Sequence, residues 1–241
     1  MRKEKYNPKI CMSIQAHPDD QEFTIAGTLA RWAGAGCRVI SVIVTDGSAG
    51  SNDPRKTSAD KPALARQRQA EQLSANKILG IEETVFLGYP DGELVSSLEL
   101  RKDLTRLIRR FKPEIVLTGD PTRRFYEGEY INHPDHRATA DAAVDAVFPS
   151  AGTQLIFADL LDEGLPPHKV RHLFLWGSKK PDTWVDISTT LDLKIKALKQ
   201  HVSQMGDWDP SGMMRQWASE TGRKKRMKAA EAFMTMNLSE M

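Results

Sequence analysis

Apolar positions along the first two thirds of the chain follow two alternating rhythms. Ile10–Gln15, Arg38–Thr45 and residues 84–87 and 114–118 form short, largely apolar runs. VISVIVT is the clearest of these and reads as a strand buried on both faces. Between the runs, residues 21–34, 62–79 and 97–111 place apolar side chains at helical spacing. Leu64, Leu73 and Leu79 mark one such stretch; Leu100, Leu104, Leu107 and Ile108 mark another. Ser96 or Ser97 suits the cap of the third helix, and Gly80 the end of the second. A further helix starts near Pro134 and runs through RATADAAVDAVF. This alternation predicts βαβ units and a mostly parallel sheet, an α/β fold.

The last third has another character. QLIFADLL, HLFLWGS and TWVDIS read as short strands or extended segments, and LDLKIKALKQHVSQM as a helix. SAGSNDPRKTSADKP and GDPTRRFYEGEYINH are rich in Gly, Pro, Ser and charge and read as mobile loops. The expectation is a single domain over 1–241, with a core over about 10–150 and a smaller C-terminal part over about 151–241.

Composition narrows the classes. The chain has 241 residues and a formal net charge of +2, so global charge gives no argument for a nucleic-acid or membrane partner. Two cysteines, Cys11 and Cys37, lie in or beside apolar runs and read as reduced core thiols. They build neither a disulfide framework nor a four-cysteine metal site, which favours a cytoplasmic setting. No stretch approaches the roughly 20 apolar residues of a membrane span. MRKEKYNPK has charge but no hydrophobic segment behind it, unlike a signal peptide.

Five polar clusters fall on one predicted sheet edge. His17-Pro18-Asp19-Asp20 follows the first strand, and Thr45-Asp46-Gly47 the second. Tyr89-Pro90-Asp91-Gly92 follows the third, Gly119-Asp120 the fourth, and Asn132-His133-Pro134-Asp135-His136 lies just beyond. Parallel sheets bind ligands beyond the carboxyl ends of their strands, whereas random surface polarity would scatter over both edges. Packing three ionisable groups into HPDD is costly unless something pairs with them. One His-Pro-Asp alone is usually a turn. Two on the same edge favour a metal site. His17 and Asp20 can reach one ion from a turn, and either His133 or His136 completes a three-ligand set with an open position. Asp19 or Asp135 is then the spare carboxylate that takes a proton from an activated water.

These residues resemble the LmbE-like, or PIG-L, family of zinc-dependent N-deacetylases. The likeness rests on AHPDD with Glu22, Gly27-Thr28-Leu29-Ala30, Thr45-Asp46-Gly47 and His133-Pro134-Asp135-His136. Weaker echoes are Arg68-Gln69-Ala70-Glu71, the run from Phe86 to Gly92, His201-Val202-Ser203-Gln204 and Ala230-Glu231-Ala232-Phe233. The resemblance implies a Rossmann-like three-layer sandwich. It implies zinc ligands at His17, Asp20 and His136, with iron(II) suited to the same set. It assigns Asp19 as general base, His133 as the carbonyl-polarising group and Asp135 as the holder of its ring. Such a held imidazole would have a raised pKa. Arg68 and Asp91 match positions that contact sugar hydroxyls. The implied reaction is removal of an N-acyl group, expected to be acetyl, from a small amino-sugar substrate. Other metal-dependent hydrolysis, of a phosphoester or by deamination, and a non-catalytic sugar- or metal-binding module are the alternatives. Oligomeric state stays open, with a homo-oligomer allowed.

Two features depart from the family pattern. Ile131 stands where many sugar-acting relatives have tyrosine, with Tyr126 and Tyr130 nearby, and the loop carrying Arg123, Arg124, Glu127 and Glu129 is expected to shape a substrate mouth. Other signals read blandly. Gly34-Ala35-Gly36 follows a helix and so is no dinucleotide motif. GRKKRMK reads as a solvated helix face, and His168 and His172 as surface or satisfied histidines. His201 matches a family motif with a structural reading still open. Trp208, Trp217 and the C-terminal methionines suggest an apolar region, core packing first, then a lid or interface.

Overall fold

The computed structural model describes residues 6–126, 128 and 130–239. Outside them lie the first residues of the charged N-terminus, the two C-terminal residues, and Glu127 and Glu129 of the expected mouth loop. The front strands form as expected: β1 (Ile10–Gln15), β2 (Arg38–Thr45), β3 (Glu83–Tyr89) and β4 (Ile115–Gly119). Between them run α1 (Asp20–Thr24), α2 (Ala26–Gly34), α3 (Lys61–Leu79) and α4 (Leu98–Phe111). Ser97 caps α4 by accepting the Leu100 N–H at 3.1 Å, and Gly80 closes α3 at φ +76°. A two-residue hairpin, β5 (Phe125–Tyr126) and β6 (Tyr130–Ile131), precedes α5 (Pro134–Asp145). The back third adds β7 (His172–Trp176), β8 (Thr183–Asp186), α6 (Leu191–Leu198), α7 (Val202–Met205), α8 (Ser211–Arg223) and β9 (Ala230–Asn237).

Seven strands share one sheet in the order β3-β2-β1-β4-β7-β9-β8. The pairings from β3 across to β7 are parallel; β9 runs antiparallel to both β7 and β8. Helices cover both faces, giving three layers. One core packs Leu29, Trp32, Leu79, Ile195 and Met214 beneath the sheet; the other packs Leu100, Leu104, Ile108, Ala142 and Ala143 against Met12 and Ile14. The alanines of α5 let it lie close to β1 and β4. The chain leaves β1 in one direction and β4 in the other, so the carboxyl ends of these two neighbours flank a crevice. HPDD leaves β1 there, and the loop from β4 returns to the same place as NHPDH.

Four expectations are corrected. Residues 21–34 do not form one helix: it is broken at Ile25. In an unbroken helix the Gly27 and Thr28 N–H groups would bond back to the preceding turn. Instead both donate to the Glu231 carboxylate of β9, at 3.0 and 2.8 Å, while Lys194 of α6 takes the Thr24 carbonyl and pairs with Glu231. QLIFADLL is not a strand but turns and a 3-10 segment at Ala158–Leu161. The buried Arg109 guanidinium takes the Ile156 carbonyl of this segment together with the Ser150, Ala151 and Thr153 carbonyls of the turn before it, which holds the chain in a coil rather than a ladder. LDLKIKALKQHVSQM divides into α6 and α7 where His201 turns inward. GRKKRMK is largely an exposed turn after α8 rather than a helix face. The C-terminal methionine segment divides between sheet and surface: Phe233 is buried in β9, whereas Trp208 and Trp217 stay half exposed.

Candidate active site

All eight expected site residues meet at the β1/β4 crevice. His17 and Asp20 leave β1 on a tight turn in which the His17 N–H donates to Asp20 Oδ2 at 2.8 Å. Pro134 starts α5 and projects His136 across from them. His17 Nδ1 lies 3.1 Å from His136 Nε2, His136 Nε2 lies 3.0 Å from Asp20 Oδ1, and His17 Nδ1 lies 3.5 Å from Asp20 Oδ2. Each outer ring nitrogen has its own partner. His17 Nε2 faces Asp135 Oδ2 and Asp91 Oδ1, both at 3.2 Å, and His136 Nδ1 faces Asn132 Oδ1 at 3.1 Å. These partners put the ring protons on the outer atoms. Two imidazole lone pairs and a carboxylate are left aimed at one point.

That donor set fits a divalent cation. Tetrahedral bonds of about 2.0–2.1 Å hold ligand atoms roughly 3.3 Å apart, within the spread seen here. His17, Asp20 and His136 also meet the general spacing of a metal-holding group. A second such group, His17, His133 and Asp135, would use the other nitrogen of His17, which already faces two carboxylates. The first set is the better fit. Electrostatics agree with a site built for positive charge. Burial opposes charge on His17, yet Asp20, Asp135 and Asp91 outweigh it and push its pKa up to about 12. Burial likewise opposes charge on Asp20, but His136 and His17 hold its carboxyl well below the usual range.

Asp19 is kept apart from the donor set by its backbone. Its φ of +96° is left-handed, uncommon for a non-glycine residue, and turns its side chain away from that of Asp20. The conformation is held from α3. Gln72 Oε1 accepts the Asp19 N–H at 3.0 Å, and Arg68 Nη2 binds the Pro18 carbonyl at 2.7 Å and Asp19 Oδ2 at 3.3 Å. Arg68 Nη1 also takes the Gly47 carbonyl at 2.9 Å. A Cβ on Gly47, which sits at φ +68°, would press on both Pro18 and Arg68, so the Thr45-Asp46-Gly47 turn requires glycine. Burial raises the Asp19 pKa to about 6, against the opposing pull of Arg68.

Below Asp19 lies a polar layer that joins Glu22 and His201, both within the family likeness, to Gln72 and Asn76, which the sequence left without a role. Glu22, fully buried, accepts from Gln21 and Gln72 at 2.7 and 3.1 Å and pairs with buried His201 at 3.2 Å. Asn76 accepts from Gln21 and Gln72 and donates to Thr84. The signal was present as Arg68, Gln72 and Asn76, one stripe at i, i+4 and i+8 of α3, but a polar stripe ordinarily reads as the solvent face. Asn132 was visible in NHPDH without an assigned role.

Two expectations change. Asp135 does not hold the ring of His133: its carboxylate is 3.9 Å from His133 Nδ1 and instead meets His17 and the Gly92 N–H. His133 Nδ1 accepts the Asp135 backbone N–H at 3.2 Å, so the ring proton belongs on Nε2. Burial and the nearby charge of His17 lower the His133 pKa, the opposite of the expected direction. Asp91 and Arg68 were read as sugar contacts. Both border the cavity, where Asp91 also bonds His17 and the Ala49 N–H, and Arg68 also braces the Asp19 turn while its buried Nε has no partner among the described residues; neither contact replaces or tests the sugar role.

These residues line a cavity of about 670 Å3 walled by Phe23, Tyr126, Tyr130, Trp176 and Trp217. Residues 12–147 match the PIG-L family model, described as GlcNAc-PI de-N-acetylase. The chain belongs to the PIG-L family. It is 32% identical over 207 residues to the diacetylchitobiose deacetylase of Thermococcus kodakarensis, covering 84% of this chain and 74% of the relative. The structure of the N,N'-diacetylchitobiose deacetylase from Pyrococcus horikoshii, complexed with its inhibitor MPG, superposes with a TM-score of 0.85 at 32% identity. The match covers 96% of this chain and 85% of that one. GalB, the 4-carboxy-2-hydroxymuconate hydratase of Pseudomonas putida, superposes at 0.78 with 20% identity, over 95% of this chain and 96% of that one. At that identity the likeness concerns the fold alone, and one fold hosts several chemistries. This PIG-L protein is a deacetylase of α/β three-layer architecture with a His/Asp metal-binding group. Among its described residues no helix is long and apolar enough to cross a membrane.

Proposed function

We propose that the protein is a zinc-dependent N-deacetylase that hydrolyses the linear amide of an N-acetylated amino sugar or its conjugate. The observation that carries this reading is the separation of roles within one turn: Asp20 joins two histidine lone pairs, while adjacent Asp19 is turned away and left basic. His17, Asp20 and His136 would hold the ion, with iron(II) a second metal suited to the same donors. When bound, such a cation supplies Lewis acidity and lowers the pKa of the attacking water. Asp19 takes the proton from that water, and burial keeps its carboxyl a stronger base than an exposed aspartate. Neutral His133 donates its Nε2–H to the developing oxyanion, a role that needs no positive charge on the ring. Asp91 and Asp135 fix His17, and Asn132 fixes His136. The two free, buried cysteines suit the cytoplasmic setting included in this reading.

The test separates adjacent aspartates. Asp20→Ala should lose bound metal and acetate release together. Asp19→Asn should keep about one metal per chain and lower kcat by about 10²–10⁴-fold. Metal analysis and acetate release from N-acetylglucosamine and its β-linked disaccharide measure both. Full turnover by metal-loaded Asp19→Asn, or release of phosphate or ammonia instead of acetate from a substrate panel, would overturn the reading.

A further inference from the structure

The break between α1 and α2 comes one helical turn after the metal donor Asp20, and residues from the far end of the chain build it. In a continuous helix the Thr28 N–H would bond to the Thr24 carbonyl, four residues back. That bond is opened, and each half is given a charged partner. Lys194 of α6 takes the Thr24 carbonyl at 2.9 Å, and the Glu231 carboxylate of β9 takes the Thr28 N–H at 2.8 Å. The same carboxylate accepts the Gly27 N–H at 3.0 Å, and Lys194 and Glu231 pair with each other. The charges suit the ends they meet, a cation at the carbonyl end of α1 and an anion at the N–H end of α2. Both side chains are buried, where water screens such contacts little.

Gly27 and the β-branched Thr24 and Ile25 weaken the helix at this point, but they do not choose the direction in which the chain leaves it. That direction matters to the site. The helix α1 has five residues, too few to hold its shape alone. Its first residue is Asp20 and its last is Thr24, whose hydroxyl donates to the Asp20 carbonyl at 2.7 Å. Thr24 is therefore held twice, to Asp20 through its side chain and to Lys194 through its backbone. Without the pair, the Gly27 and Thr28 N–H groups would be left without acceptors, and closing the helix onto Phe23 and Thr24 is the nearest way to satisfy them. That closure would draw Thr24, and Asp20 with it, out of place beside His17 and His136. We infer that Glu231 and Lys194 are positioning residues for the metal centre, acting through Thr24 to hold the Asp20 carboxylate where His17 and His136 meet it. Both lie beyond residues 12–147, which the family model matches, so donors carried by the front of the chain depend on its back. The inference rests on the reading of Asp20 as a metal donor.

Zinc(II) affinity, measured by competition with a chelator, and the visible spectrum of the cobalt(II) form both read the donor set. Lys194→Met and Glu231→Ala should each raise the zinc dissociation constant by about tenfold and shift the cobalt bands. At saturating zinc, KM for N-acetylglucosamine should stay near the wild-type value. Glu231→Gln, which keeps one acceptor oxygen, should fall between wild type and Glu231→Ala. Arg109→Met removes a buried cation from the other helical layer and is the comparison. It should lower the unfolding temperature and leave zinc affinity unchanged. The inference is overturned if Lys194→Met and Glu231→Gln bind zinc within about twofold of wild type with unchanged cobalt bands, or if Arg109→Met weakens zinc as much as they do. Should Glu231→Ala fail to fold, Lys194→Met and Glu231→Gln decide by the same two outcomes. Asp20→Ala keeps the two readings apart. Zinc lost in Asp20→Ala, with full affinity in the Lys194 and Glu231 variants, leaves Asp20 a donor and removes the positioning role. Zinc retained by Asp20→Ala removes the donor reading itself.

Discussion

The two walls of the catalytic cavity are built on opposite plans. On the α3 side, Arg68, Gln72, Asn76, Glu22 and His201 are buried and bonded to one another and to the Asp19 turn. On the hairpin side, Tyr130 and Ile131 are more than half exposed and His133 keeps much of its ring open. A buried polar network holds one geometry because each member loses bonds if it moves. An exposed hairpin has few such bonds to lose. The difference separates two tasks. With the proposed roles, the base and the first two metal donors would be fixed before substrate arrives, while the aromatic side would stay free to differ with the substrate.

The largest effect should come from the bottom of the fixed wall. His201→Leu leaves Glu22 buried without its cationic partner, a change that costs about 3–5 kcal/mol. Thermal unfolding should therefore fall by about 10 °C or more for a chain of this size. The pH dependence has a definite sign. Burial lowers the His201 pKa, but the ion pair with Glu22 more than offsets it and leaves the value raised above 6.5. The contribution is fully present below about 6.5 and is lost as pH rises through the raised value. The melting gap between wild type and His201→Leu should narrow with rising pH above that point. A constant gap from pH 6 to 9 would mean that the packing of His201, not its charge, is what α7 supplies.

Arg68→Lys comes next. Lysine offers a point charge rather than a planar fork and cannot replace three directed contacts, to Gly47, Pro18 and Asp19. The Asp19 turn loosens, and kcat should fall by about 10–100-fold with metal content unchanged. If Arg68 instead served only as a sugar contact, KM would rise while kcat held. Single-substrate kinetics on the metal-loaded variant distinguish the two.

The unequal walls also explain what could be read from the sequence. HPDD and HPDH were legible because charge at the carboxyl end of an apolar strand is costly without a purpose. The mostly parallel sheet beside them followed from the strand–helix rhythm, but its strand order did not. The supporting layer was legible only in part: Glu22, Arg68 and His201 stood in the family likeness, but nothing local joined them. Gln72 and Asn76 look like solvent-facing residues until Glu22 and His201, 179 positions apart, come to meet them. The partner of Asp135 was misassigned for a related reason: proximity in sequence suggested His133, but the helix start points the carboxylate across to His17. Likewise, β9 carries alternating methionines rather than β-branched residues, and the break at Ile25 depends on Glu231 from the far end of the chain. Local pattern identifies which groups need partners; long-range contact determines who the partners are.

The smallest effect should fall on the open wall. Ile131 is 68% exposed and does not line the cavity, and it occupies the place where a tyrosine was expected from the family resemblance. Ile131→Ala should change stability by no more than about 0.5 kcal/mol, as surface substitutions generally do, and leave kcat within about twofold. Thermal unfolding and acetate-release kinetics check both. A loss as large as that of Arg68→Lys would mean that the hairpin orders around substrate and becomes as rigid as the α3 wall. The half-buried ring of Tyr126 and the exposed ring of Tyr130 would then count as part of the working geometry, and substrate specificity would be set by closure of this wall rather than by the fixed one.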